Sequence, residues 1–478
     1  MKICVLLPDY STSAVDYQHY DPQRNLSALW PEASIDHVLL NKLTTYKQLK
    51  ALQKKGYDIF VNLCEGYLEW EVPSIDVIYT LELLNLPFTG PTSLLYDPPK
   101  ELMKYVAYCE GVNTPAYSLV QNLEDAEQAV QRLSFPLFVK PAKAGDSLGI
   151  DEKSLVRDSK SLIEKVASLL PEYDELLVEE YIDGREFTVM LAANAGGGYR
   201  VFKPVEFIFP EGNSFKTYAL KTSELHPEAN ITVTDLALDQ RLRQAAENIF
   251  KAFNGVGYAR LDFRMDATGA LFFLEINFTC SVFYTDGYEG SADYILRHDG
   301  FGQANFLRHI IAEGIFRHRQ KQKKYTVKGN AIAGYGIYAT QDIVAGELLF
   351  KGEERAQRLV TRRHVQNNWT EPQQEVFRRY AYAVSDEVYL LWDNDPACWA
   401  PQNHSCNPNT AYDGLNVVSL QPIAKDEELT LDYAHFLDSS MEPFKCNCGA
   451  ANCRGVIAGH PLNSVTERER LLRLRYRG

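Results

Sequence analysis

Two carboxylates and an amide at strand spacing make the strongest chemical signal in this chain of 478 residues. Asp262 stands in the apolar run 257–264, and Glu275 and Asn277 stand in the run 271–277. Side chains alternate along a strand, so in two neighbouring strands all three can point to one face. Such oxygens are hard ligands suited to Mg2+, with nucleotide phosphates completing the octahedra. Arg260, two residues before Asp262, falls on the same face, where it can stabilise charge developing in phosphoryl transfer. Upstream, an apolar strand over 135–140 delivers Lys140 to a small-residue loop with Gly145, Ser147 and Gly149. Lysine supplies a point charge to phosphate, and small residues let backbone N–H groups approach it. The same pattern also describes an ordinary turn. Residues 176–189 read as strand, tight turn and strand, with Glu179, Glu180, Tyr181, Ile182 and Glu186 around the turn. An edge strand there can pair with an adenine ring while acids hold ribose hydroxyls; a plain hairpin is the other reading. Lys221 is a further phosphate contact or an ordinary surface lysine.

A second signal lies near the end of the chain, where Cys446, Cys448 and Cys453 are closely spaced around Gly449. Three thiols at this spacing can converge on one tetrahedral Zn2+, and Cys406, beside the turn-forming Pro408, is the best candidate for a fourth ligand. Four thiolates leave no open position, so such a site is structural.

The elements that must position these groups change character along the chain. Its first two-thirds alternates β-rich apolar runs with helical patterns, which predicts an α/β fold. Strands are expected over 2–7, 58–63 and 86–90, and helices over 39–55, 75–85 and 100–111. The basic run 317–325 predicts a solvated linker. Beyond it the sequence turns strand- and turn-rich, and a closing helix is expected over 464–476. The domains follow as 1–97, 98–316, the linker 317–325, 326–440 and 441–478.

Nine cysteines, clustered and odd in number, fit a reducing compartment and a metal site better than a disulfide framework. A net charge of −14 argues against nucleic acid as a partner. With no signal-peptide pattern and no membrane-spanning run, a cytoplasmic protein without membrane attachment is expected.

With these motifs in order, residues 58–315 resemble the D-alanine–D-alanine ligase branch of the ATP-grasp superfamily. The stretches 62–66, 86–91 and 100–115 extend the match. The resemblance implies ATP-dependent joining of a carboxylate to an amine through an acyl phosphate. It places Lys100, Lys140 and Lys221 on the phosphates, residues 179–182 on the adenine and Glu186 on the ribose. It also gives two Mg2+ to Asp262, Glu275 and Asn277. Two loops depart from the family: residues 8–13 replace its glycine-rich loop, and Phe278-Thr279-Cys280-Ser281 replaces its Pro-Gly loop. Both touch amino-acid substrates in the family, so substrates other than two D-alanines are expected.

Residues 326–457 resemble the β-rich SET domain with its post-SET zinc motif. Gly334-Tyr335-Gly336 and Asn403-His404 are similar to the segments that hold S-adenosylmethionine, Cys406 to the first zinc ligand, and Tyr433 to the active-site tyrosine. Tyr380 and Tyr382 line an amine channel or pack in the core. The resemblance implies N-methylation. The expected whole is an ATP-grasp ligase followed by a SET methyltransferase, acting on small amino acids or peptides, with a homodimer compatible with either half. The alternative is a SET protein-lysine methyltransferase whose ATP-grasp half only binds nucleotide or presents substrate.

Overall fold

The first strand, β1 (Lys2–Pro8), is buried on both faces, as the uninterrupted apolar run requires of a strand in a parallel sheet. It pairs in parallel with β2 (Ser34–Leu40) on one side and β3 (Ile59–Asn62) on the other. Period-two alternation divides its side chains between two cores. Ile3, Val5 and Leu7 pack with α7 (Ser291–Asp299) and α8 (Gly302–Lys321). Cys4 and Leu6 pack with α1 (Thr45–Gln53) and α2 (Ile75–Leu83). In the computed structural model, the described residues are 1–12, 21–65, 71–143, 148–209, 215, 229–352, 357–384, 387–392, 402–435, 437–438 and 442–459. The chain divides into two units, Met1–Lys321 and Gln322–Gly478.

Within the first unit, α3 (Lys100–Cys109) leads into an antiparallel sheet of order β4-β7-β5-β6. Its strands are β4 (Tyr117–Val120), β5 (Leu137–Pro141), β6 (Leu155–Val156) and β7 (Leu176–Glu180). Two helices back it, α4 (Leu123–Val130) and α5 (Ser159–Leu169), started by Asn122 and Asp158, which accept N–H bonds in the first turn. The larger sheet has the order β11-β10-β8-β12-β13, with β9 also on β8. Its members are β8 (Arg185–Ala193), β9 (Tyr199–Val201), β10 (Val205–Phe207), β11 (Asn230–Thr232), β12 (Tyr258–Met265) and β13 (Leu271–Asn277). One face packs on α6 (Leu236–Ala252) and α3 through Phe187, Leu261, Phe263 and Phe273. The other face carries the polar groups.

The second unit is built of small sheets. The hairpin β14 (Tyr325–Asn330) and β15 (Gly334–Ala339) precedes β16 (Leu348–Phe350), which joins β22 (Asn416–Ser419) and β21 (Thr410–Asp413). A second sheet, of β17 (Gln357–Thr361), β19 (Val388–Trp392) and β18 (Tyr382–Ala383), carries α9 (Arg362–Asn368) and α10 (Glu371–Tyr380). Strands β20 (Asn403–His404) and β23 (Thr430–Leu431) pair in parallel, and β24 (Phe444–Lys445) pairs with β25 (Val456–Ile457).

Several expectations change in detail. The helix expected over 39–55 begins only at Thr45, because pairing with β1 draws Leu39 and Leu40 into a strand. The strand expected over 86–90 makes one bridge, Phe60 to Phe88. The basic run is not a solvated linker as far as Lys321. It completes α8, where Arg317 pairs with Glu313 (3.1 Å) and donates to the Phe88 and Gly90 carbonyls (2.9 and 3.0 Å). Those two carbonyls face away from β3, which bonds to this segment through Pro87 and Thr89. The closing helix expected over 464–476 lies outside the described residues. Among the described residues, no helix is long and apolar enough to cross a membrane.

Candidate active sites

Register brings the first site together. Strand β12 lies between β8 and β13, with Arg260 opposite Asn277 and Asp262 opposite Glu275. Phe263 pairs with Phe273, so Leu274 is an extra residue in β13. This bulge turns both Leu274 and Glu275 toward one cleft. Thr188, facing Asp262 from β8, donates to its Oδ1 (2.8 Å). Carboxylates directly opposite on one face repel. Lys100 Nζ, 3.2 Å from Glu275, and Arg260, 3.5 Å from Asp262, relieve part of that repulsion. The paired carboxylates beside an amide form a donor set that fits Mg2+.

The cleft is lined by Lys100, Lys140, Glu179 to Ile182, Glu186, Asp262 and Glu275, among others. One wall is aromatic: Phe138 stacks with Tyr181 at 6.2 Å, and Phe215 meets both rings edge-on. At the turn between β7 and β8, Gly184 has φ of +148°, and a Cβ there would collide with the Met265 carbonyl. Glu179 is tied to Lys140 (2.5 Å) and to Lys104 (2.7 Å). Burial pushes its carboxyl up, but the two ammonium groups hold it down to about 2. Its side chain therefore anchors lysines, and Glu180 accepts the Ser134 N–H (2.8 Å); β7 itself is paired on both sides, with β4 and β5, so the backbone just past it is what this segment offers an aromatic base. Ser147 and Lys221 lie outside the described residues. Lys104 escaped the sequence reading; its place four residues after Lys100 on one helix face was the available signal.

A second charged cluster sits beside the segment that follows Asn277. Arg24 donates to the carbonyls of Val282 (3.1 Å) and Leu63 (3.0 Å) and pairs with Glu65 (3.3 Å) and Asp21 (3.4 Å). Asp21 accepts the hydroxyls of Tyr10 and of Tyr284 (2.7 Å). Burial pushes the Glu65 carboxyl up to about 8 despite Arg24, and Asp21 adds to the rise. Phe283 is held at φ of +72° with its N–H on Asp293 (2.9 Å), a strained backbone. Burial also pushes the Cys280 thiol up to about 12, which leaves it a poor nucleophile.

In the second unit, the SET-like segments meet around Asn403. Its amide donates to the Tyr335 carbonyl (2.8 Å) and to Glu428 (2.7 Å), which also accepts from Asn330. Any Cβ on Gly336 would strike Glu428 and Asn403, whereas Gly334, at φ of +83°, opens on empty space. That open hairpin end beside Asn403 fits a cofactor lying against backbone. Tyr433 donates its hydroxyl to the Gln402 carbonyl (2.7 Å), and its N–H goes to His404 Nδ1 (3.1 Å). Burial, with Tyr380 and Glu428 nearby, pushes the Tyr433 phenol up to about 12. It stays protonated near neutrality and acts as a hydrogen-bonding dipole. Tyr380 is exposed at the end of α10, while Tyr382 packs on Tyr412 at 5.3 Å.

The cysteines converge as well. Donor atoms of His404, Cys406, Cys446 and Cys448 all lie within 4.8 Å of one another. The Sγ atoms of Cys406 and Cys446 are 3.9 Å apart, close to the ~3.8 Å edge of a tetrahedron with Zn–S bonds of about 2.3 Å. Backbone N–H groups of Arg454 and Cys406 point at the sulfurs of Cys406 (3.4 Å) and Cys448 (3.5 Å). Cys453 is exposed at the rim, its Sγ 3.9 Å from the Cys446 carbonyl. The group fits Zn2+ and brings in His404, whose Nε2 is 3.4 Å from Cys406 Sγ.

Comparison with known proteins agrees with this geometry. The family model described as D-ala D-ala ligase C-terminus matches residues 108–283, and the SET domain model matches residues 334–434. D-alanine–D-alanine ligase B of Pseudomonas syringae is 35% identical over 203 residues, 41% of this chain and 60% of that protein. The chain thus spans less than two-thirds of that relative. Protein y4sG of Sinorhizobium fredii is 31% identical over 248 residues, 51% of this chain and 71% of its own length. The structure of the D-alanine–D-alanine ligase from Coxiella burnetii superposes with a TM-score of 0.50 at 19% identity, over 68% of this chain and 97% of that one. That likeness gives the first unit the ATP-grasp fold. The chain carries a domain of the D-ala D-ala ligase C-terminus family in its first unit and a SET methyltransferase domain in its second. Both are enzyme families, the first working with ATP and Mg2+ and the second with S-adenosylmethionine.

Proposed function

We propose that the chain is a bifunctional enzyme that forms an amide with ATP and N-methylates an amine. The cross-strand row of Arg260, Asp262, Glu275 and Asn277, whose two carboxylates line one cleft with Lys100 and Lys140, is the observation that carries the ligase half. In this reading the lysines, together with Ser147 and Lys221, hold the phosphates. The backbone of residues 179–182 meets the adenine, Tyr181 and Phe138 flank it, and Glu186 takes the ribose. Asp262, Glu275 and Asn277 hold Mg2+, which neutralises charge on the phosphates. Arg260 stabilises the transferring phosphoryl group as a carboxylate oxygen attacks it. An amine then attacks the acyl carbon, forming the amide as inorganic phosphate leaves and the nitrogen gives up a proton. Positioning alone can remove roughly 7–11 kcal/mol of such a barrier. The loops 8–13 and 278–281, which depart from the family, with the buried cluster of Arg24, Asp21 and Glu65 beside the latter, support substrates other than two D-alanines.

In the SET unit, Gly334, Tyr335, Gly336, Asn403 and His404 line the S-adenosylmethionine pocket, and Tyr433 orients methyl and amine through its hydroxyl. Cys406, Cys446, Cys448 and Cys453 hold a structural Zn2+, with His404 as the neighbouring donor to Cys406. The acceptor is the amine of a small molecule, peptide or protein.

The test is a mass-spectrometric screen of the full chain with ATP, Mg2+, S-adenosylmethionine and pooled amino acids and peptides. ADP with a condensation product that later gains the mass of one methylene is the expected outcome. Methyl transfer across the pool with no ADP would reduce the ligase half to a nucleotide-binding or substrate-presenting module.

A further inference from the structure

We infer that Arg264 sets the sugar selectivity of the nucleotide cleft by fixing the carboxylate of Glu186; the inference rests on reading that cleft as an ATP site. Arg264 follows Arg260 and Asp262 at strand spacing, so β12 presents all three on one face. Register places it directly opposite Glu186. Its Nε (3.2 Å) and Nη2 (3.0 Å) both donate to Glu186 Oε2, and its Nη1 donates to the Ile182 carbonyl (2.9 Å). The guanidinium lies 4.8 Å from the centre of the Tyr181 ring and 5.6 Å from that of Phe209. Arginine and glutamate are 3% and 6% exposed, and both line the cleft.

A buried ion pair is a poor stability device, since apolar residues of similar volume serve as well or better. Its place inside the cleft gives it a different use. A carboxylate has about four lone-pair positions on two oxygens. Holding Oε2 from two nitrogens of a rigid planar fork sets the plane of the group, and so the directions in which it can accept a ligand hydroxyl. The same side chain ties the β7–β8 turn, at Ile182, to the acceptor at Glu186. The base-binding backbone and the sugar acceptor are thereby kept at a fixed spacing. A lysine at this position has the charge without the fork. Arg264 is a positioning residue, acting on the ribose through Glu186.

The experiment is calorimetric titration of the full chain with Mg·ATP and with Mg·2′-deoxyATP. The wild type is expected to prefer ATP by about tenfold to a hundredfold, the range for a hydroxyl bonded to a charged acceptor. Arg264→Met is expected to bring that preference within about threefold while both nucleotides still bind. Arg264→Lys, which keeps the buried charge and guards against misfolding of the methionine variant, is expected to fall in between. A wild-type preference retained in folded Arg264→Met, or in Arg264→Lys where the former does not fold, overturns the inference. Wild-type protein that binds neither nucleotide overturns the ATP-site reading itself, and is told apart by its failure before any substitution is made.

Discussion

The two units assemble their candidate sites in opposite ways. In the ligase unit, contributing residues run from Lys100 to Asn277 and meet because strands β8, β12 and β13 are in one particular register. A one-residue slip would turn the whole row to the apolar face. In the SET unit, the cysteines from Cys446 to Cys453 lie within a single short segment and reach only to Cys406. The sheets there are small, and the core between β20 and the tail is made of few residues, including two of the cysteines themselves. The first site is held by a core formed for other reasons. The second site takes the place of a core.

This contrast can be broken most sharply at the metal. Chelation, or Cys446→Ser, is expected to remove about one zinc per chain. On the order of 10 kcal/mol of stabilisation goes with it, so the SET transition is lost in calorimetry while the ligase transition stays. A folded SET unit without zinc would remove the distinction between the two units. Next in size, Glu275→Ala is expected to lower ATP turnover on the order of 10³-fold while methyl transfer to a supplied acceptor continues. Loss of both activities in a folded variant would mean that the units do not act independently. Tyr433→Phe is the reciprocal change. Methyl transfer falls about 100-fold, with S-adenosylmethionine affinity within about threefold of wild type and ATP turnover unaltered.

The smallest effect concerns the buried cluster around Arg24. Glu65 has a folded-state carboxyl raised from its ordinary value of 4.5 to about 8 by burial. Between those values the folded state holds a proton that the unfolded state has released. Stability of the ligase unit therefore falls as pH rises through this window. Denaturant midpoints of the ligase unit at pH 5 and pH 8 are expected to differ, and Glu65→Gln is expected to reduce that difference. An equal difference in the variant would place the titrating group elsewhere.

How far each site could be read from the sequence follows from the same contrast. Metal-ligand spacing is local, so the cysteines were legible as soon as Cys446, Cys448 and Cys453 were seen together. Period two likewise placed Arg260 and Asp262 on one face, and the bulge at Leu274 did not disturb the expectation for Glu275. Groups that act across elements were not legible. Lys104, Arg24 and Arg264 are charged residues in unremarkable local sequence, and only their partners, Glu179, Glu65 and Glu186, give them meaning. The basic run at 317–321 looked like solvated linker because charge runs usually are. Arg317 is instead drawn in by the Phe88 and Gly90 carbonyls, which point away from β3.

What the sequence determined by itself was therefore whatever depends on spacing along the chain: strand faces, the small-residue turns, the thiol cluster and the order of motifs that marks an ATP-grasp unit before a SET unit. Tertiary structure alone decided the partners of each buried charge. It set Glu179 between two lysines, Arg24 against the Val282 carbonyl, and His404 against the Cys406 sulfur. The physical reason is that a charge removed from water must be matched at close range, and the matching group is chosen by how strands and helices pack, whatever their distance in sequence.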